Sequence, residues 1–284
     1  MKVRIISGVV AALILLVVLV LPPLAMCIAA GALAAIGVWE AAWATGINRH
    51  KGQLIVSMLA AAVAPFLPRL YLISPVIIVA AVLCYLVAMG ILQVVEHEKL
   101  RIETTGYTIT MTLLVSIVFA CAVIMRTAES GWLDPIGIQQ NGRYLLVISL
   151  FIPWMSDIGA YFTGVCCGKH KLCPTISPKK TVEGLIGGLV ISPLVIIGTL
   201  FVYEQIADVT LTPYAYVILA VTALVGSVLS VFGDLFASVI KRQHGIKDFG
   251  NIMPGHGGVL DRFDSFLFAL PVICLVLHTF PLFA

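Results

Sequence analysis

Two stretches of this sequence gather the residue types that handle phosphates and metal ions. In the first, Ser227, Ser230, Asp234, Ser238 and Lys241 recur at i, i+3, i+7, i+11 and i+14, one polar stripe along an otherwise apolar helix. Serines alone would suit helix–helix packing. A carboxylate leading to Lys241-Arg242 suits it poorly, because ionisable groups inside apolar helices are costly and mark function. This face is therefore expected to look into a cavity. The loop beyond holds Lys247, Asp248 and the run Met253-Pro254-Gly255-His256-Gly257-Gly258, followed by Asp261, Arg262 and Asp264. Its glycines let backbone approach a ligand closely. Asp261 alone could be a helix cap, but an Asp-Arg-x-Asp cluster beside a glycine-rich turn asks for more. Asp234 and Asp261, two acids from different helices, suit Mg²⁺, which takes few carboxylates and completes its shell with waters and substrate phosphates.

The second stretch starts with Ser156-Asp157 inside a helix and continues through Lys169 and Lys171 to Ser177-Pro178-Lys179-Lys180-Thr181-Val182-Glu183-Gly184. Cations and hydroxyls ahead of a helix N-terminus make a phosphate site. For Lys169 and Lys171, contact with anionic headgroups fits as well as a phosphate site, and Thr181 to Glu183 also fits an ordinary helix start. A third buried acid, Glu40, stands between Trp39 and Trp43 near a helix end and is expected simply to reach the membrane interface. Together, the two loops over a polar cavity suggest phosphoryl-type chemistry between a water-soluble nucleotide and a lipid.

The elements that must carry these residues are membrane helices. Of 284 residues, 61% are apolar and 11% charged, and mean hydropathy is +1.09. A soluble domain is about 45–50% apolar and about 25% charged, so a soluble enzyme and a disordered chain are both excluded. Nine continuous apolar segments can be read, at 5–21, 24–45, 54–67, 71–92, 108–125, 144–165, 183–203, 213–240 and 263–284. They do not alternate, which favours helices over a barrel. The segment at 54–67 is the weakest, being short and holding Pro65. The fold class expected is all-α and polytopic, with about nine transmembrane helices and no soluble domain. The chain divides into N-terminal helices (1–70), middle helices (71–143) and a catalytic region (144–284) with loops 166–182 and 241–262. Of 17 Lys and Arg, 14 fall on one side of this topology and 3 on the other. The positive-inside rule puts the rich side, with both loops and the N-terminus, in the cytoplasm. The seven cysteines lack metal-ligand spacing and read as free thiols in a reducing compartment.

The stretch Ser238 to Asp264, Ser-x-x-Lys-Arg-x4-Lys-Asp-x-Gly-x3-Pro-Gly-His-Gly-Gly-x2-Asp-Arg-x-Asp, closely resembles the signature of the phosphatidate cytidylyltransferase family. The Ser-Asp-x-Gly-Ala-Tyr and Ser-Pro-Lys-Lys-Thr-x-Glu-Gly segments resemble its second characteristic region. The strong match covers about 156–265. Ile158 stands for a usual Thr, Ala237 for a usual Glu and Met253 for a usual branched residue. The resemblance implies that CTP and phosphatidate give CDP-diacylglycerol and pyrophosphate, with Mg²⁺ and in association with a monovalent cation such as K⁺. It implies catalytic roles for Asp234, Asp261, Asp264, Lys241, Arg242 and Arg262, with Asp234 and Asp261 on the metal and Asp264 backing the metal or orienting Arg262. Substrate contacts are implied for Asp157, Ser177, Lys179, Lys180, Thr181, Glu183, Ser238, Lys247, Asp248, His256, Gly257 and Gly258. The expected partners are CTP, phosphatidate and the bilayer of a bacterial inner membrane. No nucleic acid is expected, and a homodimer is left open. The rivals are a CTP-dependent kinase of a polyprenol or other lipid alcohol and, in a different class, an anionic-solute transporter. The Asp-Arg-x-Asp cluster speaks against the first. The concentration of buried charge in the second half speaks against the second.

Overall fold

The structure, a computed structural model, describes residues 17, 20, 22–46, 50–71, 73–127, 141–253, 255 and 257–283. The expected first span at 5–21 lies almost wholly outside the described residues, as does His256. Where the chain is described, long apolar runs have become helices, since only a helix satisfies its own backbone groups away from water. Seven of them are long and apolar enough to cross a bilayer, and the protein is a polytopic, all-α membrane protein.

The chain forms two compact units. One comprises Met1–Ile124 with Gln243–Phe263. Its helices are α1 (Pro23–Ala44), α2 (Lys51–Val63), α3 (Leu67–Tyr71), α4 (Val76–Val95), α5 (Ile102–Thr127, shared with the second unit) and the short α9 (Leu260–Phe263). The weak segment around Pro65 is a better span than its sequence suggested. A 3₁₀ turn at Ala64–Phe66 takes the proline in its first positions, so helix runs almost unbroken from Lys51 to Leu70. Buried polar side chains join the helices: Gln53 donates to Thr105 at 2.8 Å, and the Ser57 and Tyr85 hydroxyls lie 3.1 Å apart. Loop residues 243–263 belong to this unit.

The other unit comprises Met125–Arg242 with Asp264–Ala284. It holds α6 (Gly142–Cys167), α7 (Val182–Ala207), α8 (Ala215–Gln243) and α10 (Phe266–Thr279). One element is not helical. β1 (Lys171–Cys173) and β2 (Ser177–Thr181) form an antiparallel hairpin between α6 and α7, pairing Lys171 with Thr181 and Cys173 with Ser177. Helices α6 and α7 pack backbone to backbone through Gly159, Gly184, Gly187 and Gly188, as small residues allow between membrane helices. A Cβ on Gly188 would press on the Ser156 carbonyl oxygen. Ser192 adds a hydrogen bond to the Ile152 carbonyl at 3.0 Å. The last helix is shorter than the apolar run 263–284 suggested. At 14 residues, α10 extends only about 21 Å. After it the chain turns back, and Thr212 donates its backbone N–H to Leu282 O at 2.9 Å.

The contact at Gly188 yields a prediction. Gly188→Val should lower unfolding stability in detergent by about 1–3 kcal/mol through overpacking. Gly198→Ala, where a Cβ meets nothing within 4 Å, should leave the melting midpoint unchanged or raised. Equal midpoints for Gly188→Val and the parent chain would refute the close packing of α6 on α7.

Candidate active site

Charged groups of the second unit collect where α6, the hairpin, α8 and the start of α10 come together. Asp157 on α6 accepts a hydrogen bond from the Ser265 hydroxyl at 3.1 Å. Asp234 on α8 pairs with Lys180 of β2, Nζ to Oδ2, at 2.6 Å. Ser238, one turn further along α8, donates to the other Asp234 oxygen at 3.3 Å. Lys241 pairs with Asp264 at 3.4 Å, and both side chains are nearly buried. Asp264 also accepts the Ser265 backbone N–H at 2.8 Å. Asp264 thus has Lys241 among its partners.

The serine stripe on α8 divides in two. Ser227 and Ser230 are fully buried within the protein and serve packing. Asp234, with Val231 beside it, lines a cavity of about 510 Å³. Asp157, Lys171, Lys179, Lys180 and Thr181 line the same cavity. Local structure explains the hairpin's placement. Thr181 caps α7, its hydroxyl accepting from Gly184 N at 3.1 Å. The Glu183 carboxylate accepts the Lys169 and His170 backbone N–H groups at 3.0 and 3.2 Å, and meets His170 Nδ1 at 2.6 Å. Glu183 therefore ties the hairpin's base to the first turn of α7. Ser177 pairs within the hairpin, and Arg242 reaches the Ile176 carbonyl at 3.5 Å.

The glycine-rich loop of the first unit folds around two carboxylates. Asp261 Oδ2 accepts backbone N–H groups from Phe249 at 2.8 Å and Gly258 at 2.9 Å. Glu40 takes the next two, Val259 N at 3.0 Å and Leu260 N at 2.8 Å. Glu40 is fully buried, so it does not reach the membrane interface as expected. Its carboxylate occupies the space that side chains at Gly250 and Gly258 would fill. Those glycines serve a close approach within the protein. Gly257 has φ +85°, a left-handed conformation that favours glycine. Sequence reasoning missed Glu40's role because its partners lie 219 and 220 residues away. The available signal was a lone acid in an apolar helix with no nearby base. Lys247, Asp248 and Arg262 are exposed on this loop.

Asp234 and Asp261, paired for one metal in the sequence reading, stand in different units. Among the described residues, no three His, Cys, Asp or Glu side chains gather to enclose an ion.

Lysines and half-buried carboxyls thus gather where membrane helices meet a hairpin. The sequence as a whole gives the family: residues 2–280 match the model of the cytidylyltransferase family, and the chain belongs to that family. It is 45% identical over 143 residues to the phosphatidate cytidylyltransferase of Bacillus subtilis (strain 168), covering 50% of this chain and 51% of that one. Identity to the phosphatidate cytidylyltransferase of Staphylococcus haemolyticus (strain JCSC1435) is 40% over 157 residues, covering 55% and 58%. The chain spans about half the length of the curated relatives it matches.

Glu40 supplies the prediction for this site. Removing its two charge-assisted acceptors by Glu40→Ala forfeits interactions of about 1.5–3 kcal/mol each. Hydrogen–deuterium exchange at the Val259 and Leu260 amides should then accelerate at least about tenfold, with exchange in α6 and α7 unchanged. Unaltered exchange at those two amides would show that Glu40 does not hold the loop.

Proposed function

We propose that this protein is a phosphatidate cytidylyltransferase, joining CTP and phosphatidate to give CDP-diacylglycerol and pyrophosphate. The observation that carries the reading is the cavity beside the Lys180–Asp234 pair, lined by Asp157 and by Lys171 and Lys179, within a chain of the cytidylyltransferase family. A phosphatidate phosphate oxygen attacks the α-phosphorus of CTP, the bond to the bridging oxygen breaks, and pyrophosphate leaves. The attacking phosphate is already anionic near neutral pH, so no serine or cysteine nucleophile is needed. The protein's task is to bring polyanions together and offset their charge.

In this reading Lys241, Arg242, Lys247 and Arg262 hold phosphates. Asp264 keeps Lys241 in place through their ion pair. Ser238 and Lys180 fix both oxygens of Asp234. Asp234 and Asp261 are the carboxylates assigned to Mg²⁺, each on the strength of its own unit. Their hard oxygen donors fit an ion that needs only one or two protein carboxylates. When bound, Mg²⁺ supplies Lewis-acid neutralisation of phosphate charge. The charge bias of the loops supports a bacterial inner-membrane protein with both loops in the cytoplasm.

The test is pyrophosphate release by purified protein in detergent micelles with phosphatidate, CTP and Mg²⁺. Release should require the lipid, vanish with EDTA and fall at least about 100-fold in Asp234→Asn, roughly the scale on which single electrostatic groups act. CDP formed from a polyprenol, without pyrophosphate, would replace this reading with the lipid-alcohol kinase. Silence with both lipids in a protein that still binds an anion would point to transport.

A further inference from the structure

Glu40 takes no part in the phosphoryl chemistry of the proposed reaction, yet it is fully buried, where an ionisable group is expensive to keep. The peptides it holds are not arbitrary ones. Val259 and Leu260, whose N–H groups it accepts, immediately precede Asp261. Asp261 in turn accepts from Phe249 and Gly258. The two carboxylates thus divide three consecutive amides, Gly258 to Leu260, between them. Gly258 touches both: its N–H points to Asp261, and a Cβ there would lie 2.5 Å from each Glu40 oxygen. Gly250, next to Phe249, sits against the Glu40 carboxylate in the same way. Both amides that reach Asp261 therefore belong to chain seated on Glu40. Phe249, Val259 and Leu260 are buried, and their apolar contacts alone would keep the loop in place. Such burial is non-directional. A carboxylate that accepts two N–H groups also fixes how those peptides are turned.

We infer that Glu40 is a positioning residue for the reaction: carried on α1, it orients the peptides ahead of Asp261 and so sets where the Asp261 carboxylate stands for Mg²⁺. The inference rests on the cytidylyltransferase reading and on the assignment of Asp261 to the ion within it. A ligating carboxylate is only as well placed as the groups that hold it, and removing such holding groups typically costs about 10–100-fold in metal affinity or activity. The Glu40 carboxylate also lies within electrostatic range of Asp261, and a cation held by Asp261 eases the repulsion between the two. Glu40 acts through Asp261 and not on the substrates. Its loss should therefore raise the Mg²⁺ requirement and leave the KM of each substrate alone.

Amide exchange is read first, on purified protein in detergent without substrates or Mg²⁺. In Glu40→Ala the Phe249 and Gly258 amides, which Asp261 and not Glu40 accepts, should exchange at least about tenfold faster. Glu40→Gln keeps one acceptor oxygen in the same space, so its increase should be smaller. Pyrophosphate release from phosphatidate and CTP is then followed against Mg²⁺ concentration. Half-saturating Mg²⁺ should rise about tenfold or more in Glu40→Ala and less in Glu40→Gln, with the rate partly restored by excess Mg²⁺. Both KM values at saturating Mg²⁺ should stay within about twofold of the parent, the same order as no change. If Glu40→Ala does not fold, Glu40→Gln carries both measurements. Gln53→Leu, which breaks the buried bond to Thr105 in the same unit, is the comparison: its melting midpoint should fall while its Mg²⁺ requirement stays at the parent value. An unchanged Mg²⁺ requirement in the Glu40 variants, or an equal shift in Gln53→Leu, would make Glu40 a structural tie and overturn the inference. Faster exchange confined to Val259 and Leu260 would overturn it too. A parent chain that releases no pyrophosphate would refute the cytidylyltransferase reading instead, and exchange at Phe249 and Gly258 would still decide whether Glu40 positions Asp261.

Discussion

A carboxyl group inside an apolar bundle must be met by donors, because leaving it bare costs more than a helix contact returns. Much of this structure is organised by that constraint. Asp234 is met by Lys180 and Ser238, Asp157 by Ser265, and Asp264 by Lys241 and a backbone amide. Asp261, Glu40 and Glu183 are met chiefly by backbone amides. Apart from Ser238, which stands on the same helix as Asp234, the donors come from a hairpin, a loop or a helix end, and the acids other than Asp264 are fixed on helices. Acids therefore serve as anchor points on a rigid frame, and the segments that would otherwise wander are held to them.

The same constraint gives the hairpin its precision. Five residues of β2 carry two lysines and a helix cap, and the strand is too short to be stable alone. The hairpin is held at its base by Glu183, through Lys169 and His170, and at Lys180 by the ion pair with Asp234. Lys171 and Lys179 are thereby presented from a fixed support while remaining exposed.

How far the sequence disclosed all this depends on the range of each interaction. Helix identity was legible because hydropathy is summed over some twenty local residues, and even the weak segment with Pro65 erred only on the short side. The Asp234–Ser238 bond was legible because i, i+4 neighbours must share a helix face. The grouping of Lys180 with Asp234, and of Lys241 with Asp264, could be suspected from residue types but not paired. The β-hairpin went unread, since Pro178 and two lysines are weak strand formers and its pairing is set by the elements that flank it. The shortness of α10 was hidden because its apolar run continues past Thr279 while the backbone turns to meet Thr212. Glu40 was read as an interface residue because nothing within its own helix reveals where its acceptors are used.

The bonds from Glu40 to Val259 and Leu260 close a circuit of about 220 residues, the kind of distant contact whose entropy cost is met late in folding. During synthesis, α1 is made long before its loop partners exist. Until they arrive, a buried acid waits in the membrane without its donors. The glycine-rich loop can take its final shape only once α1 and residues 259 and 260 have both been made, so a product cut off before them, however well inserted, would lack it. Order of manufacture thus acts as a form of quality control: the loop forms only in a chain that has been made past Leu260.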